Sequence, residues 1–337
     1  MVTVVMPVYN CEKYLDESIQ SILNQSYSDF TFLIINDGST DGSKGVIEKY
    51  LNDERVKLIS FEKNQGLIKV LNIALGNIST KYLIRMDADD KCHLDRIKLL
   101  FEFMESNPEI GICGTKVGAL EKNEVLEYKI IQDHEIKASH LWNCSITHAS
   151  AIYRYDLFQK YSLKYDQNYT HSEDNALITD ILLNSKGAIV NKNLYWVRIH
   201  PNQVSNLFCE TQKVNSSKRR IELLEIAFKL NLTQCERNFY KSLSYKESDL
   251  SLEDFKCIVS FISKIKQLNS LVNKYEFDKK LFIRIMKRRI RIIYLKNYNL
   301  GFGLFNSYFQ LYLCGVFPNF GFRLFSKILL YNLRYYR

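Results

Sequence analysis

Four apolar, β-branched runs in the first hundred residues alternate with segments whose apolar residues recur every three or four positions. The runs predict strands and the intervening segments predict amphipathic helices. Strands and helices that alternate in this way form a mostly parallel sheet flanked by helices. We therefore predict an α/β fold, and its first four strands are expected at Val2–Val8, Phe30–Ile35, Val56–Phe61 and Lys81–Met86.

The pattern is more mixed further along the chain. An amphipathic helix is predicted to open at Glu173-Asp174, and a helix near residue 40 is expected to take Thr40 or Asp41 as its N-cap. From about residue 211 onward apolar residues recur at helical spacing, so we place a domain boundary near residue 210. Further strands are predicted at Ile110–Val117, Ile146–Tyr153, Ala188–Asn191 and Leu194–Ile199.

The cysteines and the start of the chain indicate where the protein works. Its eight cysteines never fall into the CxxC spacing of a zinc or redox site, which is typical of free thiols in a reducing compartment. The chain opens directly into a strand-like run, without the basic and apolar leader of an exported protein. We therefore expect a cytoplasmic protein.

The acidic sequence Asp87-Ala88-Asp89 directly follows an apolar strand. Ligands of open α/β sheets gather at the carboxyl ends of strands. Two carboxylates placed there could share one Mg²⁺ or Mn²⁺ ion, since these ions prefer oxygen ligands together with phosphate oxygens. We expect Asp89 to be the direct metal ligand and Asp87 to reach the metal or a ribose.

Two earlier strand ends carry polar residues whose function the sequence leaves open. Asp37 could accept hydrogen bonds from a nucleotide base or ribose, or it could serve only in a glycine-rich turn. Pro7-Val8-Tyr9-Asn10 could likewise be a loop that cradles a base or an ordinary strand exit.

Glu173 and Asp174 lie where a helix is predicted to begin, and negative charge there is favoured by the helix dipole alone. A reaction that deprotonates a hydroxyl also needs a carboxylate base. Asp174 is our candidate base, and Glu173 is expected to position the acceptor or Asp174.

Two histidines and one arginine complete the candidate set. A single histidine is more often structural than functional, and this applies to His148. His200 could contact a diphosphate or the metal, and Arg198 could neutralise phosphate charge.

Taken together and in order, these motifs strongly resemble glycosyltransferase family 2. The resemblance covers about residues 1–206, and many members carry two aspartates where this chain has Asn36-Asp37. It is carried by Pro7-Val8-Tyr9-Asn10, Asn36-Asp37-Gly38-Ser39-Thr40-Asp41, Asn64-Gln65-Gly66, Asp87-Ala88-Asp89-Asp90, Glu173-Asp174 and Arg198-Ile199-His200-Pro201-Asn202-Gln203-Val204-Ser205.

The resemblance implies a GT-A fold, a Rossmann-like sheet flanked by helices, over residues 1–210. It also implies a nucleoside-diphosphate-sugar donor, usually of UDP, a divalent metal on Asp87 and Asp89, and inversion at the anomeric carbon. Residues 1–110 would form the nucleotide-binding half and residues 111–210 the acceptor half. The donor would contact Pro7, Val8, Tyr9, Asn10, Asp37, Asn64, Gly66, Asp87, Ala88, Arg198 and His200.

The helical region expected over residues 211–337 is basic and aromatic. Residues 279–337 contain 12 Lys or Arg and no Asp or Glu, which exceeds the net charge of +9 of the whole chain. A basic helix followed by an uncharged aromatic segment suits an anionic membrane surface, although its asparagines and glycines argue against a spanning helix. We expect peripheral attachment to the inner face of the cytoplasmic membrane. Packing on the catalytic domain or an oligomer interface is the alternative, and no nucleic-acid motif is present.

A membrane-bound enzyme of this kind would act on a saccharide or lipid-linked oligosaccharide acceptor. We expect a role in cell-envelope polysaccharide synthesis, such as that of lipopolysaccharide O-antigen or capsule. A nucleotidyltransferase that makes nucleotide sugars is a second possibility, but it would need a glycine-rich basic loop where this chain has Tyr9-Asn10-Cys11-Glu12. A non-catalytic, membrane-recruited binding module is a third, and it would not need Asp174 as a base.

Overall fold

The computed structural model forms two compact units. Unit 1 comprises Met1–Lys137 and Cys144–Ser216, and unit 2 comprises Ala138–Asn143 and Ser217–Arg337. The functional division into donor and acceptor halves stays a prediction. The structure describes residues 1–120, 124–126, 132–201, 203–245, 250–267, 271–272, 275–313, 326–327 and 330.

Unit 1 is built on one mixed sheet. Its strands are β1 (Val2–Val8), β2 (Phe30–Asp37), β3 (Val56–Phe61), β4 (Tyr82–Arg85), β5 (Lys91–Cys92), β6 (Ile110–Ala119), β7 (Glu124–Leu126), β8 (Ile152–Arg154) and β9 (Lys186–Val197). They lie in the order β3-β2-β1-β4-β8-β6-β9-β5, and β7 pairs with β6. The predicted α/β class is confirmed.

The first four strands run parallel to one another, as the alternating pattern predicted. β1 and β2 are buried along almost their whole length because they lie at the centre of this parallel group. Beyond β4 the sheet is mixed, since β8 is antiparallel to both β4 and β6 while β9 is parallel to β6.

Helices flank this sheet in unit 1, and unit 2 also consists mostly of helices. In the first of them, Leu15, Ile19 and Ile22 recur at helical spacing and are fully buried. The helices are α1 (Glu12–Leu23), α2 (Ser43–Glu48), α3 (Leu67–Gly76), α4 (Arg96–Ser106), α5 (Asp133–His140), α6 (Asp156–Lys160), α7 (Glu173–Asn184), α8 (Val204–Leu207), α9 (Cys209–Phe228), α10 (Gln234–Tyr245), α11 (Ile258–Lys266), α12 (Lys279–Lys296) and α13 (Gly301–Leu313).

Two strand predictions were wrong in extent. The strand expected over Ile146–Tyr153 is only β8, because a 3-10 turn at His148–Ser150 precedes it. The two strands expected over Ala188–Asn191 and Leu194–Ile199 are the single strand β9. Its polar middle stays in the sheet because β6 pairs along it through shifts in register, with Lys192 facing solvent.

The N-cap prediction for the second helix was also wrong. α2 begins at Ser43 with Gly42 at its N-cap. Asp41 instead accepts a hydrogen bond from the Ser43 backbone N–H at 3.0 Å. A carboxylate one residue before the N-cap position can therefore still satisfy one of the open N–H groups of the first turn.

Unit 2 is helical with a short hairpin, β10 (Leu271–Val272) and β11 (Tyr275–Glu276). Its core contains Trp142, whose ring lies 5.1 Å from that of Tyr240 and 5.0 Å from that of Phe282. Among the described residues, no helix has both the length and the apolar character needed to cross a membrane. Most of the uncharged aromatic segment after residue 313 lies outside the described residues.

Gly38 is expected to be irreplaceable in the turn after β2. Its φ is +67°, and a Cβ atom there would lie 2.4 Å from the backbone carbon of Lys63. We expect Gly38→Ala to lower the free energy of unfolding by about 2–4 kcal/mol, from backbone strain and steric overlap together. Urea unfolding followed by circular dichroism would measure this.

Gly45→Ala is the matched control, because a Cβ at Gly45 in α2 would meet no atom within 4 Å. Alanine is the better helix former, so this variant should be more stable by about 0.5–1 kcal/mol. Equal stability of the two variants would contradict the prediction.

Candidate active site

The carboxyl ends of three parallel strands lie side by side at one edge of the sheet. Val8 at the end of β1 pairs with Asn36 of β2, and Val5 of β1 pairs with Arg85 of β4. The loops that follow these strands therefore leave from neighbouring positions, where open α/β sheets bind ligands.

Asp37 at the end of β2 fastens the loop before α3. Its Oδ1 accepts a hydrogen bond from the Gln65 N–H at 2.6 Å, and its Oδ2 accepts one from the Gly66 N–H at 3.0 Å. Gly66 has a φ of +88°, a conformation that favours glycine. Asp37 is buried and Asn64 is exposed. A contact of Asp37 with a base stays a prediction, and its oxygens keep further lone pairs for it.

The loop after β1 is tied to the loop after β2. Asn10 has a φ of +48°, its Oδ1 accepts a hydrogen bond from Thr40 N–H at 2.8 Å, and its own N–H donates to Ser39 Oγ at 3.1 Å. Tyr9 beside it is 50% exposed. The aromatic ring therefore stands free for a ligand on a loop that is held in place. Pro7 and Val8 lie within β1.

Each of the three aspartates after β4 has a different partner. Asp87 Oδ1 accepts a hydrogen bond from Arg85 at 2.6 Å, and Asp89 Oδ2 lies 2.9 Å from His200 Nε2. Asp90 is buried, where Oδ2 accepts from the Tyr195 hydroxyl at 2.6 Å and Oδ1 from the Arg198 N–H at 2.8 Å. Asp90 was not among the predicted site residues, yet it anchors the turn.

Burial and neighbouring charges act together on this turn. Burial raises the pKa of Asp90 well above its usual range, and the charges of Asp87 and Asp89 raise it further. Burial also raises the pKa of Asp87, with Arg85 opposing the shift and Asp89 adding to it. Ala88, between Asp87 and Asp89, is buried.

Arg198 joins the end of β9 to the acidic turn. Its Nε donates to the Asp89 carbonyl oxygen at 2.9 Å, a terminal nitrogen pairs with Glu17, and the guanidinium lies 4.7 Å from the centre of the Tyr14 ring. These contacts place Arg198 beside Asp89 and His200. They also occupy much of the guanidinium, so the predicted contact with phosphate stays a prediction.

A cleft of about 510 Å³ opens beside Asp89. One wall is formed by Tyr9 and Asn10 of the loop after β1 with Lys13 of α1, and His200 with the residues after it forms another. The His200 ring also lies 5.1 Å from that of Tyr14. Of the predicted donor-loop residues, the structure thus brings Tyr9 and Asn10 together with Asp89 and His200 around one cavity.

The residues beside this cleft fit a divalent metal only in part. Among the described residues, no group of three or more His, Cys, Asp and Glu side chains is arranged to hold a metal ion. Asp89 and His200 converge at 2.9 Å as a carboxylate and an imidazole donor. Mg²⁺ commonly takes one or two carboxylates and completes its shell with substrate phosphates and water. The donor set therefore fits a metal that arrives with a diphosphate.

Glu173 and Asp174 form the first turn of α7, as predicted. Asp174 Oδ1 accepts a hydrogen bond from the Asn175 N–H at 2.6 Å. Burial raises the pKa of both carboxyls, to about 7 for Glu173, and the charge of Asp87 contributes to each shift. A carboxylate with a raised pKa is a stronger base near neutral pH.

Arg85 links the two acidic groups, and the sequence analysis missed it. Only 4% of this residue is exposed, and its charge counters the rise in the pKa of Asp87, Glu173 and Asp174 alike. The sequence signal that could have identified it is a single charged residue in an otherwise apolar strand. Asp174 does not line the cleft itself, and the acidic turn acts on it through the charges of Asp87 and Arg85.

His148 lies next to this cluster as a neutral imidazole. Its Nδ1 is 2.6 Å from the Tyr153 hydroxyl and its Nε2 is 3.2 Å from the Tyr165 hydroxyl. Burial and the charge of Arg85 lower its pKa well below the usual range. With both ring nitrogens engaged, His148 has the geometry of a structural histidine.

Comparisons with known proteins agree with this geometry. The family model "Glycosyl transferase family 2" matches residues 3–162. An uncharacterized glycosyltransferase of Haemophilus influenzae is 31% identical over 324 residues, covering 87% of this chain and 97% of its own. The putative teichuronic acid biosynthesis glycosyltransferase TuaG of Bacillus subtilis is 33% identical over 105 residues, or 31% of this chain and 42% of its own. The chain spans less than half the length of several other curated relatives.

A solved structure shows the same fold. The crystal structure of S. aureus TarS 1-349 in complex with UDP matches with a TM-score of 0.57 and 17% identity, covering 91% of this chain and 86% of that one. The predicted GT-A fold is therefore confirmed.

The buried Glu173 is expected to make stability depend on pH. Its pKa is higher in the folded chain than in the unfolded one, so stability falls as the pH rises through about 7. Glu173→Gln removes the charge and with it this loss. The difference in melting temperature, variant minus unmodified chain, should increase by a few degrees from about pH 5 to about pH 8.

Scanning fluorimetry at several pH values would measure this difference. Glu62→Gln removes an exposed carboxylate and is the matched control. We expect its melting temperature to differ from that of the unmodified chain by the same amount at every pH. A pH-independent effect of Glu173→Gln would contradict the assignment of Glu173 as a buried, charged carboxylate at neutral pH.

Proposed function

The chain belongs to glycosyl transferase family 2, and from that premise we propose that it transfers a sugar from a nucleoside-diphosphate sugar to a saccharide hydroxyl with inversion at the anomeric carbon. The observation that carries this proposal is the meeting of Asp89 and His200 in one cleft, next to an acidic turn whose Asp87 acts on Asp174 through its charge. Uracil is our expected base, since the TarS structure contains UDP.

Metal dependence is part of the proposal. Asp89 and His200 would hold the ion together with the donor diphosphate, and Asp87 stands beside them. A bound Mg²⁺ or Mn²⁺ would neutralise charge on the departing diphosphate. The loop after β1 and Asp37 would hold the nucleoside, because they occupy the neighbouring strand ends.

Asp174 is our candidate base for the transfer step. The acceptor oxygen forms a bond to the anomeric carbon as the bond from that carbon to the diphosphate breaks, and the diphosphate leaves with the electron pair. Asp174 takes the proton of the acceptor hydroxyl. Glu173 beside it holds the acceptor or Asp174 in place, and the positive charge of Arg85 opposes the rise in the pKa of Asp174.

The acceptor and the location follow by analogy. TuaG carries a name from teichuronic acid biosynthesis, which supports a role for this chain in a cell-envelope polysaccharide such as O-antigen or capsule. A lipid-linked oligosaccharide would be the acceptor, and the basic C-terminal region would attach the chain to the inner face of the cytoplasmic membrane. Family membership favours this activity over the nucleotidyltransferase alternative.

Loss of Asp89 is expected to remove metal-dependent activity. Asp89→Ala should lower Mn²⁺-dependent hydrolysis of a UDP-sugar by at least about 10²-fold, because the metal loses its carboxylate ligand. Release of UDP, measured with a coupled assay with and without EDTA, would test this. A screen of nucleoside diphosphates and their sugars by thermal shift would first identify the donor.

The exposed Asp29→Ala is the matched control and should retain full hydrolysis. If the unmodified chain neither hydrolyses any nucleotide sugar nor binds nucleotides in a metal-dependent way, the non-catalytic binding module becomes the better assignment.

Loss of Asp174 is expected to act on the chemical step alone. Asp174→Asn should lower kcat for transfer by about 10²–10⁴-fold with little change in the KM for the donor. The kcat of the unmodified chain should fall at acidic pH, with an apparent pKa above the usual aspartate range. The exposed Asp156→Asn serves as control. A large rise in donor KM with unchanged kcat would contradict a role as base.

A further inference from the structure

Helix α12 has two faces of opposite character. Its buried face consists of Phe282, Met286, Arg289, Ile290, Ile293 and Tyr294. At about 100° per residue, five basic side chains fall within an arc of roughly 100° on the opposite side. We call them the basic stripe: Lys280, Arg284, Lys287, Arg288 and Arg291. All are exposed except Lys287, which is half-buried.

The charges of the basic stripe have no acidic partner in the part of the chain that the structure describes. Lys279–Lys296 contains no Asp or Glu, and none of the five side chains forms an ion pair with another residue in the described part of the chain. Several are spaced three or four residues apart, where like charges destabilise a helix. An external anionic partner would relieve this repulsion.

Arg289 lies on the buried face of α12 and, unlike the basic stripe, has partners among the described residues of unit 2. Only 4% of it is exposed, and its guanidinium donates to the carbonyl oxygens of Leu243 and Ser244 and to Asn143 Oδ1 at 2.8 Å. It also lies 5.5 Å from the centre of the Trp142 ring. The guanidinium that faces the core is thus hydrogen-bonded within unit 2, while the charged groups of the basic stripe point outward.

We propose that the basic stripe is a docking surface for the phosphate headgroups of anionic lipids. The five charges follow one side of the helix for about 16 Å, so they can reach a flat surface at the same time. A Lys or Arg side chain can extend its charge to the headgroup layer while its methylene stem stays in apolar surroundings. The inference deepens the proposed membrane attachment by naming its surface, and it rests on that part of the proposed function.

The borders of the basic stripe favour a membrane over a nucleic acid. Leu281, Ile285 and Ile292 are half-buried along one border and Ile283 along the other. Apolar side chains at the edges of a basic face can enter the boundary between headgroups and acyl chains, but they gain little against a sugar-phosphate backbone. The next helix of unit 2, α13, also leaves Phe309 and Leu313 exposed.

Vesicle co-sedimentation of the full chain would test the proposal. The unmodified chain should bind vesicles of phosphatidylcholine mixed with phosphatidylglycerol and should not bind phosphatidylcholine alone at about 0.15 M salt. The fourfold variant Lys280→Gln, Arg284→Gln, Arg288→Gln, Arg291→Gln should bind about 600-fold more weakly, since each of the four removed charges contributes about fivefold near an anionic surface. A variant with Arg284→Lys, Arg288→Lys and Arg291→Lys keeps the charge and should keep the binding.

The matched control removes four exposed lysines from unit 1 by Lys44→Gln, Lys49→Gln, Lys57→Gln and Lys98→Gln. It changes the net charge equally and should bind as the unmodified chain does. Equal binding of the two fourfold variants, or equal binding to both kinds of vesicle, would overturn the proposal. Tighter binding to a duplex oligonucleotide than to anionic vesicles would assign the basic stripe to nucleic acid instead.

Donor hydrolysis without vesicles separates this inference from the enzymatic proposal. Both fourfold variants should hydrolyse the donor at the rate of the unmodified chain, because the changed residues lie outside the candidate active site. Vesicle binding by a chain without any hydrolysis would leave the docking surface standing and refute the proposed activity. Hydrolysis without vesicle binding would support the proposed activity and refute the docking surface.

Discussion

The candidate site depends on the contact between the turn after β4 and the end of β9. Asp90 is buried in that turn, and its two oxygens accept hydrogen bonds from the Tyr195 hydroxyl and the Arg198 backbone N–H. These bonds join segments more than a hundred residues apart and hold His200 within 2.9 Å of Asp89. The two groups that face the cleft are therefore positioned by a third carboxylate that is itself inaccessible.

The site gathers more negative than positive charge, and this contributes to the raised pKa values of its carboxyls. Asp87, Asp89 and Asp90 follow one strand, and Glu173 and Asp174 add to them from α7. Arg85 is the buried cation that acts on the groups from both elements. Mutual repulsion and burial raise the pKa of carboxyls here, a condition that costs stability and suits proton transfer or metal binding.

The helical unit shows a different use of charge. Arg289 satisfies its donors inside the unit, so it behaves as a core residue despite its charge. The basic stripe on the other side of the same helix has no such partners among the described residues. A helix that is anchored by one face and cationic on the other can present its charge to a surface without unfolding, because the buried face supplies its stability.

The sequence by itself determined the parallel strands, the helices between them and the acidic turn that follows β4, because these depend on local periodicity and on the order of residues in one segment. It also indicated Asp89 and His200 separately, through motifs. Only the tertiary structure decided that these two side chains meet, that the charge of Arg85 acts on Asp87 and on the carboxyls of α7, and that β9 is one strand. Those features arise from pairing between distant segments, and strand order and register are properties of the packed sheet that no local pattern records.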